Sequence, residues 1–513
     1  MAGFVGLHED ARDPDTYRRG MTTQVLLRGG RVIDPEARTD EIADVLVSGD
    51  TVTAIGPDLV TPDGAVVIDV GGQLVGPGFV DLHSHVHSIA GQRLQAMDGV
   101  TTALDLEAGL MPVERAYAEA AAAGRPLHHG FSASWGGARA RVLLGTEPDA
   151  DIRSSLHVLG DPGWQRSSTP RELAAWLDLL RAEIADGALG VGVLMGYAPR
   201  SDPAEFLAVA RLAADAGVPT YTHVRELVEA DPSTPIDGSE EIVRAAAEAG
   251  AAMHHCHVNS TSRRHLDRVL DTLQRSRSSG ARVTVEAYPY GAGSTAVGAF
   301  FLDPDRLPAW GLHPGDVVMV GSGERVADRA RLLELRRTDP GAACIVAFLD
   351  EDDPADAALL HRALAFPDSI VASDAMPVTF PDGRWDSRAW PLPTGGSTHR
   401  RTAGTFARTL RRMVRDTGAW SWVEAFRRCS FLPARVLDDT TAAARRKGRL
   451  AVGADADIVV LDPEQITDTA TYLDPARPSV GVRHLLVAGT FVVRDGELDP
   501  TAYPGRGLRG TPG

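Results

Sequence analysis

The stretch GPGFVDLHSH at residues 76–85 decides the fold, because an apolar run ends there in two histidines that are two residues apart. Residues at this spacing on an extended strand point to the same side. His83 and His85 can therefore face one ion, and histidine is the commonest metal ligand in proteins. A His-x-His pair alone is weak evidence for a metal site. At the end of a strand in a parallel barrel, where active sites lie, it becomes strong evidence.

Apolar runs alternate along most of the chain with stretches rich in Ala, Leu and Arg, which is typical of a parallel barrel of strands and helices. Eight strands close such a barrel. We predict an α/β fold of the (β/α)8 TIM-like type at residues 76–438, with an insert between the last two strands at about 289–368. The eight predicted strands are 78–83, 101–107, 127–134, 189–196, 219–224, 252–257, 283–288 and 369–374.

Short β-rich runs also occur near both chain ends, separated by Gly, Pro and Asp turn signals. They predict one small β-sandwich attached to the barrel, built from residues 23–75 and from residues 439–513 with the C-terminal tail. The polar, non-periodic residues 1–22 are predicted to form a disordered tail. Met21 directly precedes the first strand-like run, so the natural start, Met1 or Met21, stays open.

The length of 513 residues leaves room for a barrel of ~250 residues and a second module. The net charge of −17 disfavours nucleic acid and anionic membranes as partners. No apolar run approaches the ~20 residues that span a bilayer, and three widely spaced cysteines form no disulfide framework. We therefore expect a cytoplasmic protein that acts on a small molecule. A homo-oligomer stays open.

A second pair of ligands is predicted from strands five and six, which end in His223 and His257. At equivalent heights of neighbouring strands the two side chains are expected to face one ion. His255 shares a strand face with His257, so the register of this strand leaves His255 as an alternative ligand.

Two ions ~3.5–4 Å apart need a shared anionic ligand. A carboxylated lysine cannot provide it here, because the single lysine, Lys447, lies in the C-terminal part of the chain. Strand two ends in GVTTALDLEAG at residues 99–109, where Asp105 and Glu107 share a face and Glu107 lies nearer the barrel mouth. Glu107 is therefore the predicted bridging ligand.

The last strand ends in IVASDAM at residues 370–376. A bare carboxylate after a buried apolar run is costly unless a metal or hydrogen bonds stabilise it. We predict that Asp374 is the general base and acid for a water activated by the metal. The alternative is a helix N-cap aspartate.

Seven motifs in order resemble the amidohydrolase superfamily, and within it the D-aminoacylase branch, also called N-acyl-D-amino-acid deacylases. The likeness covers nearly all residues after Met21. It implies a barrel with an attached β-sandwich, one or two zinc ions with two favoured, and hydrolysis of an N-acyl group from a D-amino acid. The motifs are GPGFVDLHSH, GVTT, GYAPRSDPAEFLAVARLAADAGVPTYTHVRE, EAYPYGAGST, ASDAM, HRRTAGTFARTL and GADADIVVLDPEQITD. The residues that match ligand and catalytic positions of the branch are His83, His85, His223, His257 and Asp374.

The chain departs from this branch at two positions. The branch usually bridges its metals with a cysteine, but that position is Ala108, and the neighbouring Glu107 looks like the replacement. The basic residue that helps the branch to bind the substrate carboxylate is Asn259 here. Candidate substitutes are the arginines Arg225, Arg400 and Arg401, with Tyr197, Tyr290 and Ser294 as hydrogen-bond donors; His399 and Arg401 resemble the His-x-Arg segment of the branch.

Two alternatives remain beside a deacylase of linear amides. HHCHVNST at residues 254–261 gives some support to hydrolysis of cyclic amides or ureides, as in hydantoinase-like and dihydroorotase-like relatives. A non-catalytic scaffold with this fold is the other alternative. Such proteins usually lose ligands, whereas every required position holds a competent side chain here.

Overall fold

The computed structural model describes residues 24–511, so the predicted disordered tail and the choice between two start positions lie outside the described residues. Eight parallel strands form one sheet in chain order. Its first and last strands meet where His85 N donates to Ala375 O over 2.8 Å. The predicted (β/α)8 barrel is confirmed. Its strands are Phe79–Asp81, Val100–Leu110, His128–Ser134, Val191–Leu194, Thr220–His223, Met253–His255, Val283–Ala287 and Ile370–Val371.

Helices occupy most of the chain between the strands. The helix Pro170–Ala185 illustrates the local signals: Thr169 and Glu172 form a capping box, proline occupies the first turn, and Trp176 and Leu180 are buried. The α-helices are Ile89–Met97, Val113–Ala123, Trp135–Leu143, Ile152–Val158, Pro162–Gln165, Pro170–Ala185, Pro203–Asp215, Gly238–Ala249, Val258–Ser262, Leu266–Ser278, Arg329–Thr338, Pro354–Ala365, Arg401–Leu410, Trp422–Phe426 and Leu432–Val436.

An insert separates the seventh and eighth barrel strands, as predicted. It contains a three-stranded antiparallel sheet with Ala343–Ala347 in the middle and Ala292–Ala296 and Val317–Met319 at the edges. The helix Arg329–Thr338 connects the last two of these strands along the chain. Thr295 and Val346 of this sheet reach the main pocket described below.

Both chain ends form one small β-domain, as predicted. They meet where Leu74–Pro77 pairs antiparallel with Ile458–Leu461. This pairing joins the two halves into one nine-stranded sheet. The sheet is curved, so that Val52 N, near one edge, donates a hydrogen bond over 3.0 Å to Ala454 O in the segment before Ile458–Leu461. The sheet therefore encloses its own apolar core. Its other strands are Gln24–Asp34, Thr39–Ser48, Thr51–Gly56, Val66–Asp69, Val482–Val487, Thr490–Arg494 and Glu497–Leu498.

No helix in residues 24–511 is long and apolar enough to cross a membrane.

A buried ion pair ties the β-domain to the barrel. Lys447 Nζ lies 2.6 Å from Asp457 Oδ2, and the two side chains are 4% and 5% exposed. The other oxygen, Asp457 Oδ1, lies 3.0 Å from Nε2 of His128, at the start of the third barrel strand, and accepts a hydrogen bond from Ala488 N. Asp457 therefore joins three parts of the chain that are distant in sequence.

We expect Asp457→Asn to lower the free energy of unfolding by about 3 kcal/mol, because the buried ammonium group of Lys447 loses its shorter carboxylate contact and keeps only Asp455 Oδ2, 3.1 Å away. Denaturant titration of the purified protein measures this loss. The matched control is Arg446→Gln, which breaks the pair between Asp455 and an arginine side chain that is 59% exposed and should cost less than ~1 kcal/mol. Equal losses in both variants would contradict the role given to the buried pair.

Candidate active site

Three donor atoms meet at the closure of the barrel. His83 Nε2 and His85 Nε2 lie 3.1 Å apart, and Asp374 Oδ1 lies 3.4 Å and 3.6 Å from them. The extended segment after the first strand explains this placement, since it sends alternate residues to one side: the histidines face the site, while Leu82 packs in an apolar cluster. Two unprotonated imidazole nitrogens that face each other at this distance repel unless a cation lies between them.

Glu107 lies between two pairs of histidines. Its Oε2 is 3.2 Å from His83 Nε2 and 3.5 Å from His85 Nε2. Its Oε1 is 2.8 Å from His257 Nε2 and 3.1 Å from His223 Nδ1. Each carboxylate oxygen therefore faces its own pair of nitrogen donors, and this donor set fits two divalent cations that share one carboxylate.

Two further carboxylates contact the Nδ1 atoms of His83 and His85, on the side of each ring away from the site. Asp105 Oδ1 lies 3.2 Å from His85 Nδ1, and Glu286 Oε1 lies 2.5 Å from His83 Nδ1. Such contacts place the proton on Nδ1 and leave the Nε2 lone pair facing the site. Asp105, which shares a strand face with Glu107, lies behind the histidines rather than between them.

The role of Glu286 was not predicted from the sequence. It accepts from His83 and also lies 2.9 Å from His254 Nε2. The sequence VTVEAY at residues 283–288 could have indicated this role, since a glutamate inside a buried strand needs a hydrogen-bond or charged partner.

The buried carboxylates of the site are held ionised by their histidine neighbours. Burial raises the pKa of Glu107, but His83, His223 and His257 lower it more, so its pKa lies well below the usual range. The pKa of Glu286 is lowered in the same way, against burial, by His83 and His254. A buried cluster that contains several ionised carboxylates favours the binding of cations.

Asp374 follows the last barrel strand in a left-handed conformation, with φ 49°, which aspartate tolerates better than most residues. Arg401 orients it: Arg401 Nη2 lies 2.8 Å from Asp374 Oδ2, and Arg401 Nε donates to the backbone oxygen of Asp374. Oδ1 consequently faces the two histidines. Asp374 caps no helix, since the next α-helix begins at Arg401, so the N-cap alternative is wrong.

The donor cluster opens into a pocket of about 1050 Å³, a volume that includes its open mouth. Most of the exposed surface of its wall is apolar. Tyr197 contributes a hydroxyl group, which lies 2.9 Å from Thr295 Oγ1. Ser294 also lines the pocket, and its Oγ has no hydrogen-bond partner among the described residues. The apolar residues include Ile152, Leu156, Leu159, Phe301, Trp310 and Phe348.

Two of the arginines predicted to bind substrate are already engaged. Arg225 lines the pocket, but its Nε and Nη2 donate to Glu241 over 2.9 Å and 2.8 Å, and its Nη1 donates to backbone oxygens. Arg400 donates to Glu351 over 2.6 Å. A buried carboxylate of the chain itself therefore occupies the guanidinium group of Arg225, whose role as a substrate ligand stays a prediction.

Three other predicted substrate ligands do not line the pocket. Asn259 is buried and its Nδ2 donates to the backbone oxygens of Tyr288 and Tyr290 over 3.2 Å and 3.3 Å, so it braces the segment after the seventh strand. Tyr290 packs edge-on against His399 with 6.0 Å between ring centroids. His399 Nδ1 accepts from Arg401 N. These residues support the site from behind.

His255, the alternative ligand, faces away from Glu107, with Nε2 3.2 Å from Thr261 Oγ1. His257 takes the place beside Glu107 because its own backbone is left-handed, with φ 34°.

Two charged residues of the pocket wall, Glu226 and Arg263, were not predicted from the sequence.

The comparisons with known proteins agree with this geometry. The family model described as "Amidohydrolase family" matches residues 66–493. The N-acyl-D-glutamate deacylase of Alcaligenes xylosoxydans xylosoxydans is 28% identical, with 94% of this chain and 96% of that protein covered. The D-aminoacylase of the same organism is also 28% identical, with 91% and 94% covered.

A solved structure shares the fold over nearly its whole length. It is the N-acyl-D-glutamate deacylase from Bordetella bronchiseptica, complexed with zinc and a phosphonate inhibitor that mimics the tetrahedral intermediate. The TM-score is 0.72 at 25% identity, and the alignment covers 95% of this chain and 100% of the other. The family match extends over both the β-domain and the barrel, with every donor of the site inside it, and the chain belongs to the amidohydrolase family.

Proposed function

We propose that this protein is a zinc-dependent hydrolase that removes the acyl group from an N-acyl-D-amino acid or a close relative of one. The observation that carries the proposal is the position of Glu107 between two pairs of histidines. The names of the two full-length relatives, an N-acyl-D-glutamate deacylase and a D-aminoacylase, support the substrate class.

The residues that would hold the metal form two sets. One ion would bind His83, His85 and Asp374, and a second would bind His223 and His257, with Glu107 shared between them. Histidine and carboxylate donors in this number suit zinc. When bound, the metal would polarise the substrate carbonyl and lower the pKa of water.

Asp374 would move the proton in this reaction. Its Oδ1 takes a proton from the attacking water and returns it to the departing nitrogen, so that one carboxylate acts first as base and then as acid. Arg401 holds the other oxygen, which fixes the direction of Oδ1. The apolar wall of the pocket excludes bulk water and strengthens these charged contacts.

A substrate panel tests the proposal. The zinc-loaded protein should hydrolyse N-acetyl-D-amino acids, and the matched L enantiomers should react on the order of 100-fold more slowly in kcat/KM. Hydantoin and dihydroorotate represent cyclic ureides in the same panel.

Preferential cleavage of the cyclic ureides would replace the deacylase proposal by the hydantoinase-like alternative. Inertness toward the whole panel, with zinc bound as shown by elemental analysis, would overturn the proposal in favour of a scaffold.

A further inference from the structure

Asn259 leaves the pocket without a basic residue at the position where the branch has one. One helical turn later, Arg263 follows the short helix Val258–Ser262 and lines the same pocket. Only 7% of the residue is exposed. Its side chain is therefore a cation held almost wholly inside the protein, at the wall of the cavity that contains the donor cluster.

The guanidinium group of Arg263 has few partners of its own. Nε donates to Ser260 O over 3.2 Å. The nearest carboxylate oxygen is Glu226 Oε2, 3.9 Å from Nη2, which is beyond hydrogen-bond distance. Among the described residues, neither Nη1 nor Nη2 donates a hydrogen bond. The remaining pocket-lining arginine, Arg225, is by contrast fully engaged with Glu241. Arg263 therefore keeps two donors for a ligand.

The backbone at Arg263 is strained, with φ 49° and ψ −124°. Arginine has a Cβ and gains nothing from this left-handed region, so such outliers mark functional positions more often than random ones. Three of the non-glycine residues with positive φ, His257, Arg263 and Asp374, line this one pocket. The strain directs the side chain toward the cavity instead of along the outside of the following helix.

Aromatic rings fix the plane of the guanidinium group. The Trp310 ring lies under the Arg263 guanidinium, and Phe301 stacks on Trp310 with 5.1 Å between centroids. A planar fork held this way is preorganised for a carboxylate, which accepts two parallel hydrogen bonds from it.

We propose that Arg263 binds a carboxylate of the substrate and so replaces the basic residue that is absent at Asn259. The inference rests on the proposed deacylase function. Arg263 would determine specificity, since it would hold the part of the substrate that does not react.

Glu226 favours a single negative charge over a phosphate. The carboxylate of Glu226 lies beside the guanidinium group of Arg263, and burial raises the pKa of Glu226 to about 7. Burial likewise lowers the pKa of Arg263 to about 9. When Glu226 is protonated, which its raised pKa makes accessible near neutral pH, Arg263 carries one unbalanced positive charge. A monoanion neutralises this charge, whereas a dianion exceeds it.

The test compares each N-acetyl-D-amino acid with its carboxamide, which lacks the negative charge. We expect Arg263→Met to lower the ratio of kcat/KM for acid over amide about 100-fold, and Arg263→Lys to lower it about 10-fold because lysine has no fork. The control is Arg264→Gln, an exposed neighbour paired with Asp356, which should leave the ratio within twofold. N-acetyl-D-glutamate and N-acetyl-D-glutamine, each as acid and amide, show whether the α- or the side-chain carboxylate is bound.

Folding is controlled with the double variant Arg263→Met/Glu226→Gln, which leaves no unpaired buried charge in this pair. Its ratio should fall as in the single variant while its Tm stays near that of the unaltered protein. An unchanged ratio in Arg263→Met, with the unaltered protein active on N-acetyl-D-amino acids, would overturn this inference alone. An unaltered protein that cleaves no N-acyl-D-amino acid would overturn the proposed function as well.

Discussion

Asp374→Asn is expected to lower kcat for N-acetyl-D-amino acids by about 10³-fold, because the amide can neither take the proton of the attacking water nor return it to the leaving nitrogen. The contact with Arg401 is largely preserved, since the Arg401 Nε bond goes to the backbone oxygen of residue 374. KM should change little, because the apolar wall of the pocket is untouched.

Asparagine is the appropriate substitution because residue 374 has φ 49°, and asparagine and aspartate tolerate this region better than other non-glycine residues. Zinc content, measured by elemental analysis beside kcat and KM, separates lost proton transfer from lost metal. A variant that keeps full kcat with its zinc bound would remove Asp374 from the mechanism.

Glu107→Ala is expected to reduce bound zinc from about two ions per chain to one, since the two histidine pairs lose the one carboxylate within residues 24–511 that faces both of them. The repulsion between two neighbouring cations is then no longer offset. Zinc per chain after gel filtration, and the number of sites in a zinc titration, measure the effect.

The matched control is Asp105→Ala, which removes a carboxylate from behind His85 rather than from between the pairs. At saturating zinc this variant should keep both ions with affinity weakened by about 10–100-fold. Retention of two ions by Glu107→Ala, with loss of one by Asp105→Ala, would assign the bridge to Asp105.

The donor cluster was predictable because it depends on strand ends. A strand of period two fixes which residues share a face, and barrel closure brings those ends together, so His83, His85, His223 and Asp374 followed from placing eight strands. Glu107 followed by elimination, because the one lysine is elsewhere in the chain.

The pocket wall was less predictable because it depends on backbone outliers and loops. Nothing in the sequence SRRH fixes φ 49° at Arg263, and this angle decides that Arg263, rather than Arg264, reaches the cavity. Arg225 appeared available in the sequence because its partner Glu241 lies on a separate element, the helix Gly238–Ala249. Side-chain pairs between separate elements are a property of packing, which local patterns do not encode.

The burial of Lys447 makes amine chemistry a probe of this protein's folding. It is the only lysine in the sequence, and its Nζ is bound to Asp455 and Asp457 inside the protein. In the native state an amine-reactive dye should therefore label the chain at its terminal amino group alone. A second dye per molecule appears only when the β-domain opens, so the labelling ratio counts molecules that have passed through an open state.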